Sequence, residues 1–311
     1  MRIDGLNLRK YRLPIVYVMV MGLFFILAGG ASSQELKGGR INWVDGFINA
    51  SGEATAQPSG NKVKDQLRSL RAATIIAQRT LLETVKGLRI DSQTKVEAMM
   101  LKEDTINTRM EGIITSSEVV RQNVEWQGDV PLAAVEVRIC LNEVSGCKSG
   151  RSIISVLELD QRGEPAHVPR DRLDDTVVKQ VPSGPKIQGI AYDSSKLVTG
   201  LVFNLQGLFF EREVLPVVIT AGDADKRFTV YSVKSVEPRV IRTYGVVRFA
   251  DSVEQAKKND YLGGNILVIP ASRVTKDNMI VIEPSAARVI WETTRHGNDY
   301  LKEAKVIIAS K

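Results

Sequence analysis

Two hydrophobic periods divide the chain. From Lys64 to Leu88 the stripe positions Leu67, Leu70, Thr74, Ala77, Leu81, Val85 and Leu88 recur at intervals of three and four. That spacing lays them along one side of a 3.6-residue helix. Lys64, Asp65, Arg68, Arg71, Gln78, Arg79 and Glu83 form its wet side. Ile75, Ile76 and Leu82 widen the apolar arc, which suits a helix lying across a sheet. Ser59-Gly60-Asn61 offers capping groups at the start. Gly87 stands where a left-handed residue would end the helix.

Further along, the period changes to two. Val120, Gln122, Val124 and Trp126 alternate, Gln127-Gly128-Asp129 turns, and Val135, Val137, Ile139 and Leu141 alternate again. This predicts a β-hairpin with one buried face. A first strand is expected over 41–54. The segment 89–118 fits neither period well; it predicts a short helix near 96–109 and a strand from Gly112 onward. Met99 and Met100 read there as core filler rather than metal ligands. Residues 151–159 predict one more strand or a short helix.

Residues 160–189 carry Pro165, Pro169, Pro182 and Pro185 with a charged run from Arg170 to Asp175. Prolines this dense reject a packed helix or a central strand. The segment is expected to link two domains, 36–159 and 190–311. In the second, strands are expected at 201–205, 214–220, 228–231, 265–269, 279–282 and 304–309. Helices are expected at Ser252–Asn259, capped by Ser252, and from Pro284 through Ile290. Gly222-Asp223-Ala224-Asp225 reads as a hairpin turn; a calcium loop is the alternative, but Lys226-Arg227-Phe228 breaks the ligand pattern. The fold class expected is α+β: one long helix packed on an antiparallel sheet, then a smaller α+β domain.

An ordered series of short motifs runs through the first half: Ile41-Asn42-Trp43-Val44-Asp45-Gly46-Phe47, Ala50-Ser51-Gly52-Glu53-Ala54, Arg71-Ala72-Ala73, Lys86 to Ser92 and Arg109-Met110-Glu111-Gly112. Over residues 40–142 the chain resembles the bacterial envelope family named after a twenty-kilodalton outer-membrane lipoprotein, related to the first domain of flagellar assembly protein T. The resemblance implies a helix-on-sheet α+β unit and an envelope role; it brings no active-site residues with it.

Charge adds an address. Four cations within the first dozen residues, against Asp4, account for +3 of the net +6. The balance left is too small to argue for a nucleic-acid partner. The cations precede an apolar run, Leu13 to Leu27, which ends in Ala28-Gly29-Gly30-Ala31-Ser32-Ser33. A charged start, a short apolar run and small residues predict a secretory signal over 1–33, cleaved after Ala31 or Ser33. The alternative is an uncleaved anchor, since the run approaches a membrane span. Contact with a membrane is expected only through that segment. Gly30 occupies the place of the lipidated cysteine in the resembled family, so no lipid attachment is expected.

In an exported protein, Cys140 and Cys147 read as a disulfide closing a small loop, worth about 2–3 kcal/mol if unstrained. Two free thiols, or metal or redox work, are the alternatives. The two histidines, His167 and His296, lie far apart in sequence and read as solvated. No nucleophile elbow, metalloprotease pair, phosphate loop or dinucleotide fingerprint occurs. No catalytic residue, metal site or cofactor is assigned. Trp43, Trp126 and Trp291 each fit a buried element, which argues against stacking platforms for sugars. The function expected is therefore that of a non-catalytic periplasmic envelope protein, a structural or assembly factor. It would act through contacts with envelope proteins or itself, near the outer membrane or flagellum. The alternative is a binding module for cell-wall glycan or another ligand.

Overall fold

The computed structural model describes residues 38–143, 146, 151–159, 161, 190, 193–223, 227–295 and 299–310. The first sheet holds four antiparallel strands in the order β1-β2-β4-β3: β1 (Gly39–Asn42), β2 (Phe47–Thr55), β3 (Glu118–Gln127) and β4 (Val130–Cys140). The expected strand over 41–54 is a hairpin, because Trp43–Gly46 turn between β1 and β2. Gly128, at φ +64°, and Asp129 make the two-residue turn joining β3 to β4. Ala133, Val135, Val137 and Ile139 face inward, while Glu136 and Arg138 stand outward. Outside, Asn49 donates to Glu136 Oε1 at 2.7 Å and Arg138 Nε donates to Asn49 Oδ1 at 3.0 Å. The sheet therefore has one apolar and one polar face.

Helix α1 (Lys62–Lys86) crosses the apolar face. Asn61 caps it by accepting from the Lys64 amide at 3.1 Å, and Asp65 Oδ2 accepts from the Ser59 amide at 2.8 Å. That backbone bond holds the Asp65 carboxyl below its usual range. The buried stripe differs from the expected one. It runs Asp65, Ser69, Ala73, Ala77, Leu81, Val85 in steps of four, so Leu67 is exposed, as are Ile75 and Ile76. The reason is close approach. A Cβ on Gly52 of β2 would lie 2.3 Å from the Ala77 nitrogen and 2.4 Å from the Ala73 oxygen. Only small helix residues fit against that strand, and they displace the larger ones outward. Gly87 does follow α1, but at φ −73° it stays right-handed.

The segment after α1 holds two helices, α2 (Val96–Lys102) and α3 (Asp104–Thr115). Gly112 lies inside α3, and the strand expected from it begins at Glu118. Met99 and Met100 are buried in the core. A four-residue helix, α4 (Ile153–Val156), closes the first half.

The second half is built on two small sheets. One is wholly parallel, ordered β8-β12-β5-β9: β5 (Gly200–Asn204), β8 (Arg248–Ala250), β9 (Ile266–Pro270) and β12 (Val306–Ala309). The other is mixed, ordered β10-β11-β6-β7, with β6 at Val218–Thr220, β7 at Thr229–Tyr231, β10 at Arg273–Val274 and β11 at Ile280–Ile282. Helices α5 (Pro238–Tyr244), α6 (Val253–Lys257) and α7 (Pro284–Arg295) accompany them. Parallel pairing explains the unbroken apolar runs, since both faces of this sheet are covered. Leu201, Phe203 and Ile308 join the main core, whereas Val202, Ile307 and Ala309 pack with Ala256 of α6 and Leu262. The protein is thus α+β throughout.

Apart from Gln161, the connection expected at 160–189, and with it the proposed domain boundary, lies outside the described residues. So do the N-terminal signal and Gly30. The two halves nonetheless share one hydrophobic core, from Ile48 to Ile308, within one compact unit beginning at Gly38. Backbone bonds join them as well. Val214 donates to the Arg89 oxygen at 3.1 Å and Leu215 to the Ile90 oxygen at 2.8 Å.

Candidate functional site

The junction of the halves contains a cleft of about 210 Å³. The β1–β2 turn forms one wall. It is shaped by Gly46 at φ +73°, by the Asp45 amide donating to Asn42 Oδ1 at 3.0 Å, and by Asn42 Nδ2 donating to Asp45 Oδ2 at 2.7 Å. Leu141 and Asn142, just past β4, join it through the Leu141 amide, which donates to the Gly46 oxygen at 2.8 Å. The opposite wall is Gly245–Phe249, running from α5 into β8. Trp43 meets Phe249 edge-on across the cleft, centroids 5.3 Å apart. Glu213 completes the lining, fixed by the backbone bonds of Val214 and Leu215 described above.

Two ionisable side chains set the character of this cleft. Glu213 is 2% exposed, and its Oε2 has no hydrogen-bond partner among the described residues. Burial pushes its carboxyl up to about 8; a hydrogen bond from Asn278 and the charge of Arg89 pull the other way, and Asp91 and Glu211 add to the rise. Arg89 is engaged elsewhere, donating to Glu211 Oε2 at 2.6 Å and to the Ser92 oxygen at 2.7 Å. Glu213 is therefore largely protonated at neutral pH. Arg248 lies over the ring of Tyr261, 4.0 Å from its centroid, and over that of Tyr244 at 5.4 Å, and donates to Asn259 Oδ1 at 3.3 Å. Burial lowers its pKa, and no carboxylate pairs with it among the described residues. The cleft lining thus includes a neutral acid that can donate and accept, and a guanidinium with bonding capacity left over.

The residues singled out from sequence fall elsewhere. Cys140 ends β4, buried and disulfide-bonded; Cys147 lies outside the described residues. His167 and His296 also lie outside them, as do Ala224–Lys226 of the expected turn. Among the described residues no cluster of three or more metal-ligating side chains occurs. Trp43, expected in a buried element, is only partly buried and lines the cleft. Glu213 and Arg248 were not foreseen. The available signal was a single carboxylate, Glu213, leading directly into the apolar run Val214–Thr220.

A second exposed surface lies on α1. Val63, Leu67 and Ile75 are 69%, 61% and 56% exposed, and Lys64, Arg68 and Arg71 stand beside them. Among the described strands, β3 stands at the edge of its sheet. No helix among the described residues is long and apolar enough to cross a membrane.

A family model for the second domain of Treponema pallidum Tp0624 matches residues 200–311, and no curated protein matches the chain. The matched span carries Glu213, Arg248 and Asn259, but not the wall built by the β1–β2 turn. What the comparisons establish is that the second half of the chain is similar to the second domain of Tp0624.

Proposed function

We propose that this is an exported, non-catalytic protein of the bacterial cell envelope, a structural or assembly factor that holds a partner through the cleft between its halves. The observation that carries the reading is the cleft itself: both halves build it, and its lining includes a buried carboxyl, Glu213, with one oxygen that has no hydrogen-bond partner among the described residues. The leader-like start of the sequence and the resemblance of residues 40–142 to the outer-membrane lipoprotein family support the location. The exposed face of α1 and the open edge of β3 supply further contact area for an envelope protein or a second copy of the chain.

A wall-glycan reading is favoured by one observation, the half-buried Trp43 lining the cleft, where a sugar face could stack. One experiment separates the two. A photo-crosslinking residue placed at Val44, on the cleft wall, is activated in living cells, with a control at Ser51 on the polar sheet face. Adducts to an envelope protein or to the chain itself are expected from Val44 alone. Wall fragments attached at Val44 would transfer the proposal to the glycan reading, and equal yields at both positions would dismiss the cleft.

A further inference from the structure

We propose that the outer face of α1 docks on an anionic lipid surface, through exposed apolar side chains set among cations. The buried row of this helix runs Asp65, Ser69, Ala73, Ala77 in steps of four. A second row, two positions away, also runs in steps of four: Val63, Leu67, Arg71, Ile75 and Arg79. Two positions are about 200° round a helix, so this row lies opposite the sheet, and all five of its residues are exposed. Lys64 and Arg68 stand one position on and are exposed as well. With Asn61, Val63, Leu67 and Arg71 they line an open depression.

The charge of this face selects its partner. From Lys62 to Leu82 the helix carries five cations and a single acid, Asp65. Asp65 is buried and accepts from the Ser59 amide, with Arg68 Nη1 at 4.0 Å. Lys62 lies 3.9 Å from Asp129, and Glu83, the next acid along the helix, pairs with Lys86. Lys64, Arg71 and Arg79 have no ion pair among the described residues. An anionic surface is therefore the complement. A protein of that charge needs an enclosed pocket to seat an anchor side chain, and this depression is open. A headgroup layer needs none. Lysine and arginine stay at the level of the phosphates while Val63, Leu67 and Ile75 enter the acyl boundary. The contact is separate from the N-terminal segment and from the cleft.

The test uses the full chain with an environment-sensitive dye attached through Val63→Cys; Cys140 is already disulfide-bonded. The same dye on Ser51→Cys, on the polar sheet face, is the control. The N-terminal segment is the same in every sample, and each dye reports its own position. Vesicles are phosphatidylcholine, alone or mixed with phosphatidylglycerol. The dye at residue 63 should brighten with the anionic vesicles at a lipid concentration at least about 10-fold lower than with the neutral ones. The dye at residue 51 should brighten with neither. Raising sodium chloride from about 0.05 M to about 0.5 M should reverse the effect. Lys64→Gln with Arg71→Gln should raise the half-saturating lipid concentration about 10-fold or more, at roughly 5-fold per cation. Lys257→Gln with Lys258→Gln removes the same charge from exposed positions at the end of α6 and should leave it unchanged. Leu67→Ser should raise it about 5-fold. Equal brightening with both vesicles, or equal losses from the two double variants, would overturn the charge match and the proposal with it. A dye at residue 63 that stays dark would overturn it too, leaving the face to a protein partner. None of these results bears on the cleft, which the crosslinks at Val44 decide.

Discussion

The antiparallel half and the parallel half solve the same packing problem in opposite ways. In the first, one long helix covers one face, the other face meets water, and β4 alternates buried and half-buried residues along its length. In the second, short strands are buried on both sides: every residue of β6, β11 and β12 is buried. One-sided burial concentrates the energetic demand on close contact between a helix and a sheet. Two-sided burial spreads it across large side chains in the strands. The two halves should thus break by different substitutions.

The largest loss is expected in the parallel sheet. Phe203 is fully buried in β5 between two covered faces, its ring centroid 6.5 Å from that of Tyr231. Phe203→Ala should cost about 3–5 kcal/mol in denaturant unfolding. A loss below about 1 kcal/mol would mean that this sheet tolerates cavities and the contrast fails. In the antiparallel half the sensitive position is the smallest residue. Gly52→Val drives its side chain into the α1 backbone at Ala73 and Ala77 and should cost about 3 kcal/mol. Unchanged stability would show that the helix can lift away.

The junction supplies a pH-dependent version of the same comparison. Between about 4.5 and 8 the folded protein retains a proton on Glu213 that the unfolded chain has released. Stability from this group is therefore full below 4.5, falls by up to about 1.4 kcal/mol per pH unit as pH rises toward 8, and is level above. Urea titrations across that window should show the slope in the wild type and its loss in Glu213→Gln; parallel slopes would place the proton elsewhere. The smallest effect is expected at Leu67. Exposed on the outer side of α1, its replacement by Ala should change stability by no more than about 0.5 kcal/mol.

Leu67 also shows where the sequence was legible and where it was not. Helix period, hairpin alternation and turn chemistry located α1, β3, β4 and most second-half strands, because each is written in its own neighbours. Which side of α1 faces the sheet is decided by Gly52, ten residues before the helix begins, and periodicity alone ranks leucine above alanine. Strand direction was equally hidden: Leu201-Val202-Phe203 reads the same whether its partners run parallel or antiparallel, and its partners lie far away at 266–270 and 306–309. The cleft was illegible for the same reason. Trp43, Glu213 and Arg248 carry no shared motif and meet only once both halves are folded.

The place of β12 in its sheet has a consequence for synthesis. It lies between β8 and β5, and it follows β5 by about a hundred residues. At roughly 5–20 residues per second, the ribosome needs about 5–20 s to make that stretch. During this interval β5, joined from the second half of it by β8, lacks the strand that belongs between them, and both present open edges. Such edges invite pairing with other nascent chains. The second half is therefore the part of this protein whose production should depend most on chaperones that shield newly made strands.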